Sequence, residues 1–436
     1  MADISTCPPL TPASVRTAYT KIKPYIHRTP LVTSRSLNAI ASSRDPSVYL
    51  SDNPPPFDSP TSSSNDSDAA VPPPRFRLHF KCENFQKIGA FKARGAFHAV
   101  TRLVDELGLD EVRRRGVVTH SSGNHAQALA LAASTFDIPA YIVMPAISTR
   151  SKIAGTRLYT PHVLFSGSTA EEREAVVGNV VEEKGAILVP PYDHPDIILG
   201  QGTVGLEMEE QFRENQSSPT SASASASTST GADAAAKKFD AVLAPIGGGG
   251  LLCGVATFFA SQPDTPVFGA EPSFEGADDA RRGLLQNKRI EHVKTLTIAD
   301  GLRTPVGKIN WTVVSDPTKV AGVYAVSEDE IKKAMRFVFE RLKLVVEPSG
   351  CVPLAAVLFN QEFRDMVAEK QREQQKAGAE TPCWDVGVVF SGGNTTMKAI
   401  ATLFGEGEED DAGVEAKREA GKVGVDGTSN VEDVAG

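Results

Sequence analysis

The sequence predicts an α/β fold in which mostly parallel sheets are flanked by helices. Two observations lead there. Short apolar runs alternate with amphipathic segments along most of the chain. Several of these runs end at small, polar or glycine-rich turns and pass at once into helical periodicity. Strands that alternate with helices build βαβ units, whose parallel strands need crossover helices. In such sheets ligands gather at the carboxyl ends of strands, where helices begin.

The elements follow in order. Residues 75–81 alternate strictly, with Phe76, Leu78 and Phe80 on one side and Arg75, Arg77, His79 and Lys81 on the other, which is strand period. Phe97, Val100, Val104 and Leu107 recur at three and four, which is helix period. Residues 116–120 read as a strand, 125–136 as a helix and 140–144 as a strand. Residues 239–246 form a buried strand that leads into a helix from 251, and 267–270 and 386–390 are further strands. Residues 241–260 lack a charge over about the length of a bilayer span. Pro245 and four consecutive glycines break that run, so a strand, a turn and a short helix fit it better.

The 436 residues allow two or three domains of roughly 150 residues. Three stretches, 52–74, 214–236 and 405–436, are rich in Ser, Pro, Ala or acidic residues and read as unstructured. The first two read as inserted loops, because the flanking patterns continue across them. The last holds ten acids against three bases, so it carries −7 of the net −9. The nearly neutral remainder argues against nucleic-acid binding, which needs clustered Lys and Arg. Five widely spaced cysteines without a CxxC pair support neither a disulfide framework nor a zinc ribbon. The first residues lack a basic segment followed by an apolar stretch, so no secretory signal is expected and a cytoplasmic location is the default.

Four strand-to-turn junctions carry chemistry. The run Pro245 to Leu251 places Gly247, Gly248, Gly249 and Gly250 between a strand and a helix. Bare amides at a helix start converge on an anion, and phosphate is the natural guest. No Gly-Lys-Ser/Thr follows and Leu252 occupies the last glycine position of GxGxxG, so a phosphate site fits better than a nucleotide site. At the second junction, Ser121, Ser122, Gly123, Asn124 and His125 suit a small carboxylate, although plain capping of the helix fits as well. His120 and His125 stand five apart, a poor spacing for one helical face, and no third metal ligand lies near in sequence.

At the third junction, Lys92 sits among small residues, preceded by Phe91 and followed two residues later by Arg94. Desolvation and a nearby cation would lower its pKa and free a neutral amine to attack a carbonyl. An ordinary solvated helix lysine is the competing reading. At the fourth, a strand ends at Ser391-Gly392-Gly393-Asn394, which a turn without a ligand would also explain.

Together, KCENFQKIGAFKARGA (81–96), SSGNHAQALA (121–130), GQGT (200–203), PIGGGGLL (245–252), GAEP (269–272), TIADGL (297–302), VVEPSGC (345–351) and SGGN (391–394) resemble the serine/threonine dehydratase and serine racemase family. These are pyridoxal-phosphate enzymes of the tryptophan-synthase-β-like fold. The match looks especially close to the branch that includes threo-3-hydroxyaspartate ammonia-lyases. The resemblance implies a large domain of residues 1–113 and 194–404 and a small domain of residues 114–193. It implies that Lys92 is the Schiff-base lysine and that Phe91 lies against the cofactor ring. Gly247–Gly250 would hold the phosphate, Asn124 would bond the ring hydroxyl, and Ser391 the pyridine nitrogen. Ser121, Gly123, Asn124 and His125 would receive the substrate carboxylate. Ser122 matches the serine that, in racemases, faces the lysine across the substrate.

The implied reaction converts serine, threonine or 3-hydroxyaspartate to a 2-oxo acid and ammonia by β-elimination. The alternative is racemisation of serine by Lys92 and Ser122. Glu271, the carbonyl of Ala277 and Asp279, with Asp278 as the alternative to Asp279, fall where racemase-like members place Mg²⁺; oxygen ligands would equally take Ca²⁺ or Mn²⁺, and a solvated acidic turn is the competing reading. Arg303 is a candidate partner for a second substrate carboxylate. A homodimer is implied, and a nucleotide effector is a further expectation; no membrane partner is expected. The chain departs from the pattern at Ala90, Ser148-Thr149, Thr160-Pro161 and Tyr192, the last standing where racemases carry asparagine.

Overall fold

The computed structural model describes residues 3–57, 72–121, 123–167, 169–217, 237–379 and 381–405. Residues up to Asn394 form one compact unit, and a second unit begins at Thr395 and contains the helix Met397–Gly405. The remainder of the acidic tail and most of the two Ser-rich stretches lie outside the described residues. The helix Pro195–Ser217 extends beyond the expected boundary, so residues 214–217 are helical rather than unstructured.

Ten strands make two sheets. They are β1 (Leu31–Thr33), β2 (Phe76–Cys82), β3 (Val117–His120), β4 (Ala140–Pro145), β5 (Val163–Ser166), β6 (Ile187–Leu188), β7 (Ala241–Pro245), β8 (Val267–Pro272), β9 (Gly322–Val326) and β10 (Trp384–Phe390). The six-stranded sheet runs β1-β2-β10-β7-β8-β9 and the four-stranded sheet β5-β4-β3-β6. Every pairing is parallel except β1 with β2. β7 and β10 are buried along their whole length, as expected of inner strands covered by helices on both faces.

The alternation in β2 has a particular cause. Phe76, Leu78 and Phe80 enter the apolar core, while Lys81 on the other face is also fully buried. Its ammonium donates to Glu207 (2.7 Å), Gln211 (2.9 Å) and the carbonyl of Thr29 (2.7 Å). Glu207 also accepts from Arg94, which forms a second ion pair with Glu83 at 2.7 Å. The polar face of β2 is therefore buried at His79 and Lys81, where it is met by charged partners, and open to solvent at Arg77. The charge network ties β2 to the helices Lys92–Leu107 and Pro195–Ser217.

The same long helix sets the depth of the helix Gly250–Phe259. A Cβ on Gly202 would stand 2.7 Å from the carbonyl oxygen of Gly254, so glycine at both positions lets the two backbones touch. The uncharged run 241–260 is thus β7, a turn and a short buried helix. Among the described residues no helix is long and apolar enough to cross a membrane.

Candidate active site

The glycine turn joins β7 to the helix Gly250–Phe259. The amides of Gly247, Gly248, Gly249 and Gly250 donate to no group among the described residues. Gly249 has φ +99°, and a Cβ there would lie 2.8 Å from the Asn310 side chain. The Gly248 carbonyl is turned away and accepts from the Gly307 amide (3.0 Å) and Asn310 Nδ2 (2.6 Å). What remains is a row of free N–H groups at a helix start, suited to a dianion.

Residues 191–193 form a strap across this turn. The Tyr192 ring packs on Gly248, where a Cβ would come within 2.5 Å of it. Asp193 caps the helix Lys308–Val314, accepting from the amides of Lys308 (2.8 Å), Ile309 (2.9 Å) and Asn310 (3.1 Å). Pro191 accepts a 2.7 Å hydrogen bond from Lys92 Nζ. One short strap therefore sets both the glycine turn and the lysine amine. Burial brings the Lys92 pKa down to about 8, so a substantial fraction is neutral near physiological pH. The ammonium stands 5.1 Å from the centre of the Phe91 ring.

Ser391 follows β10. Its carbonyl accepts from the Phe91 amide at 3.0 Å, and Ala90 bridges to Gly392. Ser391 is 4% exposed, and its hydroxyl meets no hydrogen-bond partner among the described residues. The sheet thus delivers Ser391 and the glycine turn from neighbouring strands and brings Lys92 beside them.

Asn124 opens the helix Asn124–Thr135 after β3. Its Nδ2 donates to Glu347 (2.9 Å), and its Oδ1 accepts from Asn394 Nδ2 (2.8 Å). The Gly123 amide donates to Ser121 Oγ at 3.3 Å. His125 is buried, with Nε2 3.3 Å from the Val189 carbonyl and Nδ1 without a partner. Burial first, and then the nearby Lys92 charge, push its pKa down to about 3, so the ring is neutral. Ser122 lies outside the described residues.

Two groups at this loop escaped the sequence reading. Glu347 is buried and accepts from Asn124 and from the Asn394 amide at 3.1 Å. Burial, with help from the Asp300 charge, raises its pKa to about 7 despite those donors. Lys152 forms an ion pair with Asp300 and lies beside Gly123, whose Cβ would be 3.5 Å from its ammonium. Glu347 and Asp300 lie within VVEPSGC and TIADGL, so their signal was present but carried no assigned role; no motif marked Lys152.

The acidic group behaves differently. Glu271 ends in the core of β8, accepting from the amides of Ala280 (3.1 Å) and Arg281 (2.7 Å), and burial pushes its pKa well up. Asp279 is likewise buried, accepts from the Val306 amide (3.0 Å) and is pushed up to about 6 by burial. Asp278 instead pairs with Arg282 at 2.8 Å, which leaves Asp279 as the acid facing Glu271. Arg303 does not join the site as a free cation. Its guanidinium donates to the carbonyls of Thr297 (2.7 Å) and Leu296 (3.2 Å).

Comparison with known proteins agrees with this constellation. The family described as "Pyridoxal-phosphate dependent enzyme" matches residues 65–372. The chain is 39% identical over 393 residues to a serine racemase of Arabidopsis thaliana, covering 90% of this chain and 95% of that protein. It is 35% identical over 396 residues to the L-threo-3-hydroxyaspartate ammonia-lyase of Saccharomyces cerevisiae, covering 90% and 95%. The solved structure of maize serine racemase superposes with a TM-score of 0.68 at 35% identity, covering 94% of this chain and 99% of that one. With a family match across most of its length and a relative 39% identical over 90% of it, the chain belongs to the pyridoxal-phosphate dependent enzymes.

Proposed function

We propose that this enzyme is an ammonia-lyase that dehydrates a small β-hydroxy amino acid such as serine, threonine or 3-hydroxyaspartate. The observation that carries the reading is the strap 191–193, which touches both the Lys92 amine and the glycine turn. The residues present fit pyridoxal phosphate: free amides for its phosphate, an unbonded hydroxyl on the largely buried Ser391 and a lysine of lowered pKa. When bound, the cofactor supplies an electron sink for the substrate Cα, which no side chain can provide.

The chain's own residues do the rest. Lys92 would hold the cofactor's aldehyde, and its Nζ is the base that would take the Cα proton. Phe91 would lie against the ring. Gly247, Gly248, Gly249 and Gly250 would hold the phosphate. Ser391 would offer the pyridine nitrogen a neutral hydroxyl, which, unlike a carboxylate, does not hold that nitrogen protonated. Asn124 would bond the ring hydroxyl. Ser121, Gly123, Asn124 and the neutral His125 receive the substrate carboxylate, with Lys152 as the nearby cation. Glu271, Asp279 and the Ala277 carbonyl hold a divalent cation, Mg²⁺ by the preference of oxygen ligands; two buried acids with raised pKa values suit that role. The four-stranded sheet belongs to a small domain of residues 114–193. We further infer a cytoplasmic homodimer that responds to a nucleotide.

Racemisation of serine is the second reading, favoured by the names of the plant relatives. It requires Ser122 as the proton donor and acceptor opposite Lys92. A panel of D- and L-β-hydroxy amino acids, scored for 2-oxo acid and for inverted enantiomer, separates the two. Lyase chemistry predicts 2-oxo acid and ammonia as the main products, and Ser122→Ala should remove inversion while sparing much of the elimination of L-serine. Borohydride reduction followed by peptide mapping should place the cofactor on Lys92; an adduct elsewhere, or none, overturns both readings.

A further inference from the structure

A second cluster of reactive side chains lies apart from the proposed cofactor residues. Cys7, in the N-terminal segment, brings its Sγ to 3.6 Å from Asp196 Oδ2 and 4.0 Å from His194 Nε2. His194 and Asp196 stand at the start of the helix Pro195–Ser217 and are 2% and 1% exposed. One ligand atom from each of the three residues lies within 4.8 Å of the other two. The sulfur–oxygen separation is close to one edge of a tetrahedron around a metal about 2.0–2.3 Å from its ligands, and the sulfur–nitrogen separation is a few tenths of an ångström longer, so small side-chain shifts would bring the three atoms onto one ion.

Two further features suit a cation there. A cavity of about 10 Å³, close to the least that can hold a water, is lined by His194 and Asp196 and otherwise by apolar side chains. Asp196 Oδ1 is buried without a hydrogen-bond partner, although Arg102 Nε stands 3.4 Å away. Asp196 thus pairs with Arg102 through Oδ1 and meets the Cys7 thiol through Oδ2, and a water-sized space borders it and His194.

We propose that Cys7, His194 and Asp196 form a site for Zn²⁺ or a similar thiophilic divalent ion, with a water as the fourth ligand. A thiolate and an imidazole select zinc over Mg²⁺ or Ca²⁺, which keep oxygen ligands. Binding is an exchange of protons without redox chemistry. The Cys7 thiol gives its proton to solvent, and the Zn–S bond replaces the S–H bond. The Asp196 amide donates to His194 Nδ1 at 3.2 Å, so a neutral ring with this bond carries its proton on Nε2. Taking the metal through Nε2 moves that proton to Nδ1 and gives up this long hydrogen bond. Asp196 enters as a carboxylate, with Arg102 oriented behind it as an outer partner. The ion fastens the N-terminal segment to the residue that follows the strap 191–193.

The test uses the full-length holoenzyme in excess Mg²⁺, so that the oxygen site is filled. Equilibrated with Zn²⁺ and desalted, wild type should retain about one zinc per chain, with release of a proton on binding. Cys7→Ser and His194→Gln should each bind Zn²⁺ at least about tenfold more weakly, a loss that even outer-partner changes reach. Both should keep the cofactor absorbance. Co²⁺ in wild type should give a thiolate-to-metal charge-transfer band that Cys7→Ser lacks. Equal zinc affinity in wild type and Cys7→Ser, or Co²⁺ bound without that band, overturns the site. Because Cys7 is partly exposed on the N-terminal segment, Cys7→Ser separates metal loss from misfolding.

Discussion

At the residue scale, Lys92 shows how burial sets reactivity. Its pKa is lowered to about 8 because the ammonium has lost water and is not compensated by an acid. Below about pH 8 the neutral fraction falls roughly tenfold for each pH unit. Recapture of added pyridoxal phosphate by the apoenzyme should therefore quicken as pH rises and level off above about 8. Stopped-flow absorbance measures this, and a rate that is flat between pH 6 and 8 would remove the neutral amine from the account. Lysine at this position was legible in the sequence as a residue type among small neighbours. Its desolvation was expected from those neighbours and is the whole cause of the shift, whereas Arg94, expected to add to it, is neutralised by Glu83 and Glu207, and the Pro191 carbonyl that meets the amine comes from far along the chain. The glycine turn was the reverse case: four adjacent glycines state a backbone role without any tertiary information.

At the element scale, β2 and two helices are joined by Lys81, Glu207, Arg94 and Glu83. Burial alone would raise the Glu207 pKa, but the charges and hydrogen bonds of Arg94 and Lys81 outweigh it and hold the carboxyl below its ordinary value. Such a network adds little over an apolar core while complete, yet removing one member leaves a buried charge without a partner. Glu207→Ala should cost about 3–5 kcal/mol of unfolding free energy, read by urea denaturation of the apoprotein. A loss below about 1 kcal/mol would mean that water reaches Lys81. Because the Glu207 pKa is depressed, its contribution is present above the ordinary carboxylate range and is lost as pH falls through the folded value. Periodicity identified β2 as a strand but could not reveal that its polar face is buried at His79 and Lys81. Charged residues at alternate positions look the same in sequence whether they meet water or Glu207.

At the scale of the whole molecule, the Lys152–Asp300 ion pair joins the segment after β4 to the region that follows β8. The pair is partly exposed and is worth at most about 1 kcal/mol by itself. Its larger effect is on Glu347, whose pKa is raised to about 7 by burial and then by Asp300. A carboxyl with a raised pKa stabilises the fold below its unfolded value, and that stability is lost as pH rises through about 7. Asp300→Asn removes the neighbouring charge and frees Lys152, so Glu347 should ionise at lower pH. The fall in stability between about pH 5 and pH 8 should then be smaller than in wild type, and an unchanged profile would discount the coupling.

The order of the larger sheet has one more consequence. β10 lies between β2 and β7 although it comes last in sequence, and Ser391 follows directly from it. While the chain is being synthesised, the first two hydrophobic neighbours of that strand leave the ribosome with a gap between them. Neither can close its hydrogen-bond ladder until β10 has been made, and pairing β10 with β2 joins segments some three hundred residues apart. Until β10 emerges, β2 and β7 each present an open edge, the feature that exposes a partly made chain to pairing with its neighbours.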